Sequence, residues 1–571
     1  MQNGVRQGCP ISPQLFILAV ELLAQKIIQD PDIQGLTPYA GTEASKIFQY
    51  CDDTSLFLSG TNDVIKAIDH FNTFSFFSGL HLNYNKCYAL SLNGVDFNIG
   101  GIPIQFKNTI KILGIYFSNH RAASDIELNW TSRINNTLKI LGRWARRDLS
   151  IIGKLHVIKT FGLSQFIFVM QSIKIPKAVL DQVNRLFFRF LWKKKFNNRR
   201  AFEKVKRKVM FNDHELGGLK MVDIHALQDS ILLNWAESLI SSDFKIWKHT
   251  ALNFFARLGG IEVFKSKVAL NKLKGLNLIP SSFWKDVLCC WLEHADNQSN
   301  ISITWSDPIF NNNNFKYKGE PLFLPSCITR GIITVSNVTT DGRLLTLLEF
   351  RDKYGRYARS VLDYIIVANV LRGALRGGNI ISDNHIYFKG NMIGNLGRKK
   401  FYAMIKMVVT PLCVGIWERK FGISVDKLHW QIIHQLKESR LKALTWKIVH
   451  NIYPTNILLN KMKISDTQNC KFCKVIDVME HFFFSCEKVK PLWQEIQRDI
   501  QAFLNVEIKL TQEMVILGVT DYQGTTAEVR KKINWVIAIG KMVISKFKYG
   551  KPRNILEIYE TDSRHRQLWQ T

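Results

Sequence analysis

Residues 48–58 read FQYCDDTSLFL, and they place two adjacent carboxylates, Asp52 and Asp53, inside an apolar run rich in β-forming residues. Charge in such a run is costly unless something pairs with it. Residues 46–58 alternate loosely and predict strand, tight turn, strand, with residues 51–54 at the turn. Carboxylates held at a hairpin turn suit a hard divalent cation such as Mg²⁺, which takes oxygen ligands and is usually shared with phosphate. An exposed Asp-rich turn is the plain alternative. The dipeptide by itself favours that alternative, so the flanking sequence has to decide.

Working outward, residues 12–28 open with Ser12 and Pro13 and repeat apolar residues at Leu15, Leu18, Ala19 and Leu22, which predicts a helix. Residues 62–78 return to the helical period, and GLHLNYNK and KILGIYFS read as short strands. Helix, hairpin, helix and strands imply an α+β layer. From residue 129 to about 240 the pattern is helical and basic. Residues 193–208 hold nine basic residues (Lys193, Lys194, Lys195, Arg199, Arg200, Lys204, Lys206, Arg207, Lys208) and one acid, Glu203. Trp192, Phe196 and Phe202 interleave, a mixture suited to phosphate contact and base stacking, although charge runs are commonly just solvated faces. Residues 240–430 mix short helices with Asn- and Gly-rich loops, and helical patterning returns from residue 436.

The chain of 571 residues exceeds what one core usually organises. Lysine and arginine outnumber acids by 77 to 47, a formal charge of +30. This surplus points to a polyanion, either nucleic acid or an acidic membrane surface. The longest apolar stretch, residues 161–173, is interrupted by Ser164, Gln165, Gln171 and Ser172 and is shorter than the ~20 residues of a spanning helix. No signal pattern opens the sequence. Ten scattered cysteines suit a reducing compartment with one metal site, so the chain is expected in the nucleus and/or cytoplasm.

Four motifs stand in order around the aspartates. They are NGVRQGCPISPQLF (residues 3–16), YCDD (50–53), SGLHLN (78–83) with Lys86, and ILGI (112–115). This ordered set resembles the reverse transcriptases of non-LTR, LINE-type retrotransposons. The resemblance implies that Asp52 and Asp53 bind catalytic Mg²⁺, with Asp52 the more direct ligand. Arg6, Gln7 and Gly8 would approach template and nucleotide, Lys86 would serve the leaving pyrophosphate, and Leu113 and Gly114 would lie at the primer grip. RNA template, DNA primer or target, and dNTP would be the partners, with no membrane. Cys51, His81 and Ile112 depart from the family's usual Ala, Lys and Tyr. The family's third metal-binding aspartate lies upstream of NGVRQGCP, where this sequence has two residues. The expectation is therefore an incomplete Mg²⁺ site and no polymerase activity from this chain alone.

A second motif is Cys470-x₂-Cys473-x₇-His481-x₄-Cys486. Three thiolates and an imidazole fit a closed structural Zn²⁺ site. The motif, the preceding LTWKIVHNIYPTNILLNKM (residues 444–462, with Tyr453 where the family has Leu) and Trp493 resemble the C-terminal zinc-binding region of the same family. His120, His156, His214 and His225 read as ordinary histidines, and Gly217-Gly218-Leu219 as a turn like one that follows the thumb in that family.

The expected architecture is multidomain, α+β and then mostly α. Residues 1–120 would form a partial right-hand polymerase palm and 121–240 a basic helical thumb. Residues 241–430 would be a helical connector and 431–571 a helical domain with the zinc site. The expected function is the C-terminal portion of a LINE-type reverse transcriptase. The rival is a nucleic-acid-binding remnant or translated pseudogene without catalysis.

Overall fold

The computed structural model describes residues 8–37, 44–93, 101–119, 127–192, 203–243, 245–266, 268–295, 303–375, 380–550 and 553–562. The architecture is mixed α/β followed by mostly helix, with small two-stranded sheets. The compact units do not follow chain order. One comprises Met1–Arg133, Phe168–Pro176 and Gln228–Ile405; the other comprises Ile134–Ile167, Lys177–Leu227 and Lys406–Thr571. No described helix is long and apolar enough to cross a membrane.

The first unit opens with helix α1 (Ser12–Gln29), strands β1 (Ile47–Tyr50) and β2 (Asp53–Leu56), and helix α2 (Thr61–Ser78). Its core is small: Leu23 and Ile27 of α1 pack with Ile33, Ala67 and Phe71. The predicted α1 face is only partly right, because Leu15, Leu18 and Leu22 remain exposed. Asp63, at the start of α2, fastens the layer. Its Oδ2 accepts from the N–H groups of Gln34 (3.2 Å), Gly35 (3.2 Å) and Ser59 (3.0 Å) and from Ser59 Oγ (2.9 Å). Gly79, at φ +71°, ends α2 in the left-handed conformation a side chain would resist. The short strands β3 (Tyr88–Ala89) and β4 (Gln105–Phe106) pair in parallel, and β5 (Thr109–Ile112) and β6 (Ile115–Ser118) form a hairpin.

The same unit then builds two larger cores. One gathers Trp284, Val287, Leu288 and Trp291 of the Ser282–His294 helix with Phe255, Phe264 and Phe388. The other surrounds Phe310, Phe315, Ile332 and Phe350. Buried carboxylates are satisfied by backbone here too, since Glu237 accepts from the N–H groups of Gly394, Leu396 and Gly397 at 2.7–3.2 Å. The Asn-rich stretch is no open loop. Asn311 and Asn312 are fully buried, and Asn311 brackets Lys274 by accepting from its N–H (2.9 Å) and donating to its carbonyl (3.0 Å).

The second unit is helical. Trp417, Trp446 and Ile448 are fully buried, as are Ile496, Val536 and Ile544. The Gly217-Gly218 turn is a docking point within it. Gly217 O accepts from Trp446 Nε1 (3.0 Å) and faces His450 Nε2 at 2.8 Å. A Cβ on Gly218 would stand 2.1 Å from the Asn212 carbonyl oxygen, so only glycine fits.

Candidate metal centres and basic surface

The β1–β2 hairpin pairs Ile47 with Leu56, Phe48 with Ser55, Gln49 with Thr54 and Tyr50 with Asp53. That register leaves only Cys51 and Asp52 in the turn, and Cys51 takes the left-handed conformation at φ +54°. Asp53 is thus the first residue of β2 rather than a turn residue. Both aspartates are exposed, so water rather than a buried partner solvates them. Neither side chain forms a hydrogen bond or ion pair among the described residues, and no third acid, His or Cys among them completes a metal cluster with the pair. Two uncommitted adjacent carboxylates on a rigid turn fit part of a Mg²⁺ shell and leave the remainder to water and phosphate.

Lys86 ends the short Tyr84–Lys86 turn of helix and is exposed. Leu113 (φ +47°) and Gly114 (φ +83°) form the β5–β6 turn, and Arg133 Nη2 donates to Gly114 O at 2.9 Å. Gly8 takes φ +90° with open space around its Cα. Arg6, Gln7, Lys193, Lys194, Lys195, Arg199, Arg200 and His120 lie outside the described residues.

In the rest of the basic run, Lys206 and Lys208 are exposed, and Lys208 Nζ lies 3.4 Å from Met407 Sδ. Arg207 is committed internally: its Nε meets Glu203 Oε2 at 2.8 Å and its guanidinium covers the Phe188 ring at 4.7 Å. Lys204 is half-buried, and burial lowers its pKa. Periodicity had no way to find its neighbours. Lys447 is held below the usual lysine range by burial and by repulsion from Lys204, and Lys154 by burial and by repulsion from Lys447. Lys447 thus shares repulsion with Lys204 and with Lys154, cations from distant segments of one unit. Of the four histidines, His156 is exposed, His225 faces Asp181 at 3.5 Å, and His214 stacks on His434 with ring centroids 3.8 Å apart.

The four predicted zinc ligands do come together. Cys470 Sγ lies 3.9 Å and Cys473 Sγ 3.4 Å from Cys486 Sγ, and all four ligand atoms fall within 4.8 Å of one another. Tetrahedral Zn–S bonds of about 2.3 Å would set sulfurs about 3.8 Å apart. Local chain geometry makes the cluster. Cys470 N–H donates to Val475 O (2.7 Å), Lys474 turns at φ +59°, and His481 and Cys486 bracket the single helical turn His481–Ser485. Trp493 Nε1 pins that turn by donating to Phe483 O at 2.8 Å. His481 Nε2 is buried and meets no hydrogen-bond partner, and burial pushes the Cys486 thiol up to about 12. A cation among these atoms would satisfy the one and ionise the other, so the donor set fits Zn²⁺. Asp229, Cys290 and His294 also lie together, but they satisfy each other: His294 Nε2 meets Asp229 Oδ2 at 3.0 Å, and Cys290 Sγ meets Asp229 O at 3.6 Å.

Comparison with known proteins gives a match over each of the two segments that hold these residues. The family described as reverse transcriptase (RNA-dependent DNA polymerase) matches residues 1–117, and the family described as zinc-binding in reverse transcriptase matches residues 415–493. An uncharacterized 149 kDa protein of transposon TX1 from Xenopus laevis is 21% identical over 95% of this chain and 45% of its own length. A retrovirus-related Pol polyprotein from the type-1 retrotransposable element R2 of Popillia japonica is 27% identical over 33% of this chain and 31% of its own length. The chain therefore spans less than half the length of either curated relative. With a reverse-transcriptase segment first, a zinc-binding segment later and relatives from retrotransposons, the chain is similar to the non-LTR, LINE-type retrotransposon reverse transcriptases.

Proposed function

We propose that this chain supplies the palm hairpin, a basic thumb and a structural zinc domain to RNA-directed DNA synthesis in target-primed retrotransposition. The observation that carries the reading is the uncommitted Asp52–Asp53 pair on a fixed hairpin turn, inside the segment that matches reverse transcriptase. Mg²⁺, when bound, would supply charge neutralisation for the incoming dNTP phosphates and the primer 3′ oxygen. Asp52 and Asp53 would hold the cation by carboxylate oxygens, and the exposed Lys86 ammonium would stabilise charge on departing pyrophosphate. Gln7 and Gly8 would approach template and nucleotide, and Leu113 and Gly114 the primer. Residues 1–120, 121–240, 241–430 and 431–571 would act as partial palm, thumb, connector and zinc domain, in the nucleus and/or cytoplasm.

Two carboxylates are too few for the reaction, and no third joins them among the described residues. This chain by itself is expected to give no Asp52-dependent primer extension on an RNA template with Mg²⁺ and dNTPs. Extension by the wild type that disappears in Asp52→Ala would overturn the inactive reading and leave the family reading intact.

The formal charge of +30, with Lys206 and Lys208 exposed and Lys447 repelled by Lys204, favours a second reading, a nucleic-acid-binding module. Binding through phosphates should weaken about 10-fold or more between 50 and 200 mM salt. A flat salt dependence, or affinity unchanged in Lys204→Glu/Lys447→Glu, would reject it.

A further inference from the structure

The zinc cluster has a charged neighbour beyond the matched segment 415–493. Lys548 lies at the end of the Ala527–Tyr549 helix, and its side chain is 4% exposed. Its Nζ is 3.9 Å from Cys470 Sγ, 3.5 Å from Asp477 Oδ1 and 4.2 Å from the centroid of the Phe482 ring. An ammonium has three N–H donors and accepts nothing, and here a sulfur, a carboxylate and a π face surround it. Contacts that do not involve the Lys548 ammonium hold the helix end in place. Phe547 stacks on Phe472 at 5.1 Å, Lys471 Nζ donates to Lys548 O, and Tyr453 Oη meets Ser545 Oγ at 2.5 Å. Asp477 is anchored in turn by Asn456 N–H at 3.1 Å.

Charge explains why a lysine stands there. Three thiolates, one neutral imidazole and Zn²⁺ sum to one negative charge in a largely buried site. Burying that charge is unfavourable unless it is paired and hydrogen-bonded. We infer that Lys548 is a positioning residue of the metal centre: it donates a charge-assisted hydrogen bond to the Cys470 thiolate and ties the metal to the C-terminal helix. The inference rests on reading the four ligands as a zinc site. The plain alternative is a Lys548–Asp477 ion pair with the sulfur as bystander.

The test uses the full chain. Zinc content is measured first, then zinc transfer to a chromogenic chelator, then the thiolate-to-metal charge-transfer band of the Co²⁺-substituted protein. Lys548→Met is expected to weaken zinc retention about 10- to 100-fold, the range for outer-shell partners. Its charge-transfer band should move to longer wavelength, because the sulfur lone pair loses a donor, and Lys548→Arg should restore most of both effects. Phe547→Leu loosens the helix end without touching charge and should leave the band in place. Lys548→Met/Asp477→Asn removes both buried charges, so it spares the fold a lone carboxylate, and should behave like Lys548→Met. A wild type with one zinc, and variants whose retention and band match it, would overturn this inference alone. A wild type without zinc would overturn the zinc reading and this inference together.

Discussion

Both candidate centres set paired ligands on tight turns, yet the protein treats them in opposite ways. Asp52 and Asp53 stand in solvent on a layer with a small core, which also exposes Phe48, Tyr50, Phe76 and Phe77. Cys470, His481 and Cys486 are buried, with fully buried Phe483 and Ile496 close behind them in the chain. The difference fits the role proposed for each set. A carboxylate pair that meets phosphate has to stay reachable, and water solvates it meanwhile. A structural thiolate site contributes to folding only when it is closed.

The widest separation between the two regions should come from removing a ligand in each. Cys486→Ala leaves too few donors for a closed site and strands His481 Nε2 in the interior. Structural zinc is worth about 10–16 kcal/mol in small zinc domains, so a loss above about 5 kcal/mol is expected in the second unit. Zinc content near zero and early proteolysis after residue 406 would be the readouts. A Cys486→Ala chain as protease-resistant as wild type would abolish the contrast.

That contrast was legible in the sequence as to type and illegible as to degree. The Cys-x₂-Cys spacing identified the four residues that the fold gathers, because spacing along one short segment fixes which side chains can meet, while the order of the motifs singled out the aspartate pair. Exposure of the aspartates stayed one of two alternatives, since an apolar run reads the same whether its neighbours cover it or leave it open. The α1 face failed for the same reason: Leu15, Leu18 and Leu22 have helical spacing, but the layer packs on Leu23, Ala24 and Ile27. Contacts over long separation had no sequence signature. Gly217 meeting Trp446 and His450, Lys204 crowding Lys447, and Lys548 reaching Cys470 all depend on which helices pack together.

Burial in the C-terminal region is complete enough to trap an ammonium with no counter-ion among the described residues, which gives an intermediate effect. Lys541 is 1% exposed, its Nζ donates to Ile516 O at 3.3 Å and to no other group among the described residues, and burial lowers its pKa to about 7. The unfolded chain takes up this proton near pH 10.5, and the folded chain resists until about pH 7. The penalty therefore grows as pH falls from about 10.5 to 7 and is constant below. Lys541→Met should stabilise the chain by about 2 kcal/mol at pH 7 and flatten the denaturation midpoint between pH 7 and 10. A destabilised Met variant would mean that this lysine has a partner.

The smallest effect belongs to the hairpin itself. Asp52 is exposed, lies in a two-residue turn and makes no side-chain hydrogen bond among the described residues. Substitution at such a site usually changes stability by less than about 0.5 kcal/mol. Two like charges side by side also repel, so Asp52→Ala is expected to be neutral or slightly stabilising in metal-free buffer. Millimolar Mg²⁺ should then raise the melting temperature of wild type slightly more than that of Asp52→Ala, because only the wild type offers the pair. A loss of more than about 1 kcal/mol in Asp52→Ala would show that the carboxylate holds the hairpin together. The aspartates would then join the zinc ligands as structural groups, and their exposure would no longer argue for a role in chemistry.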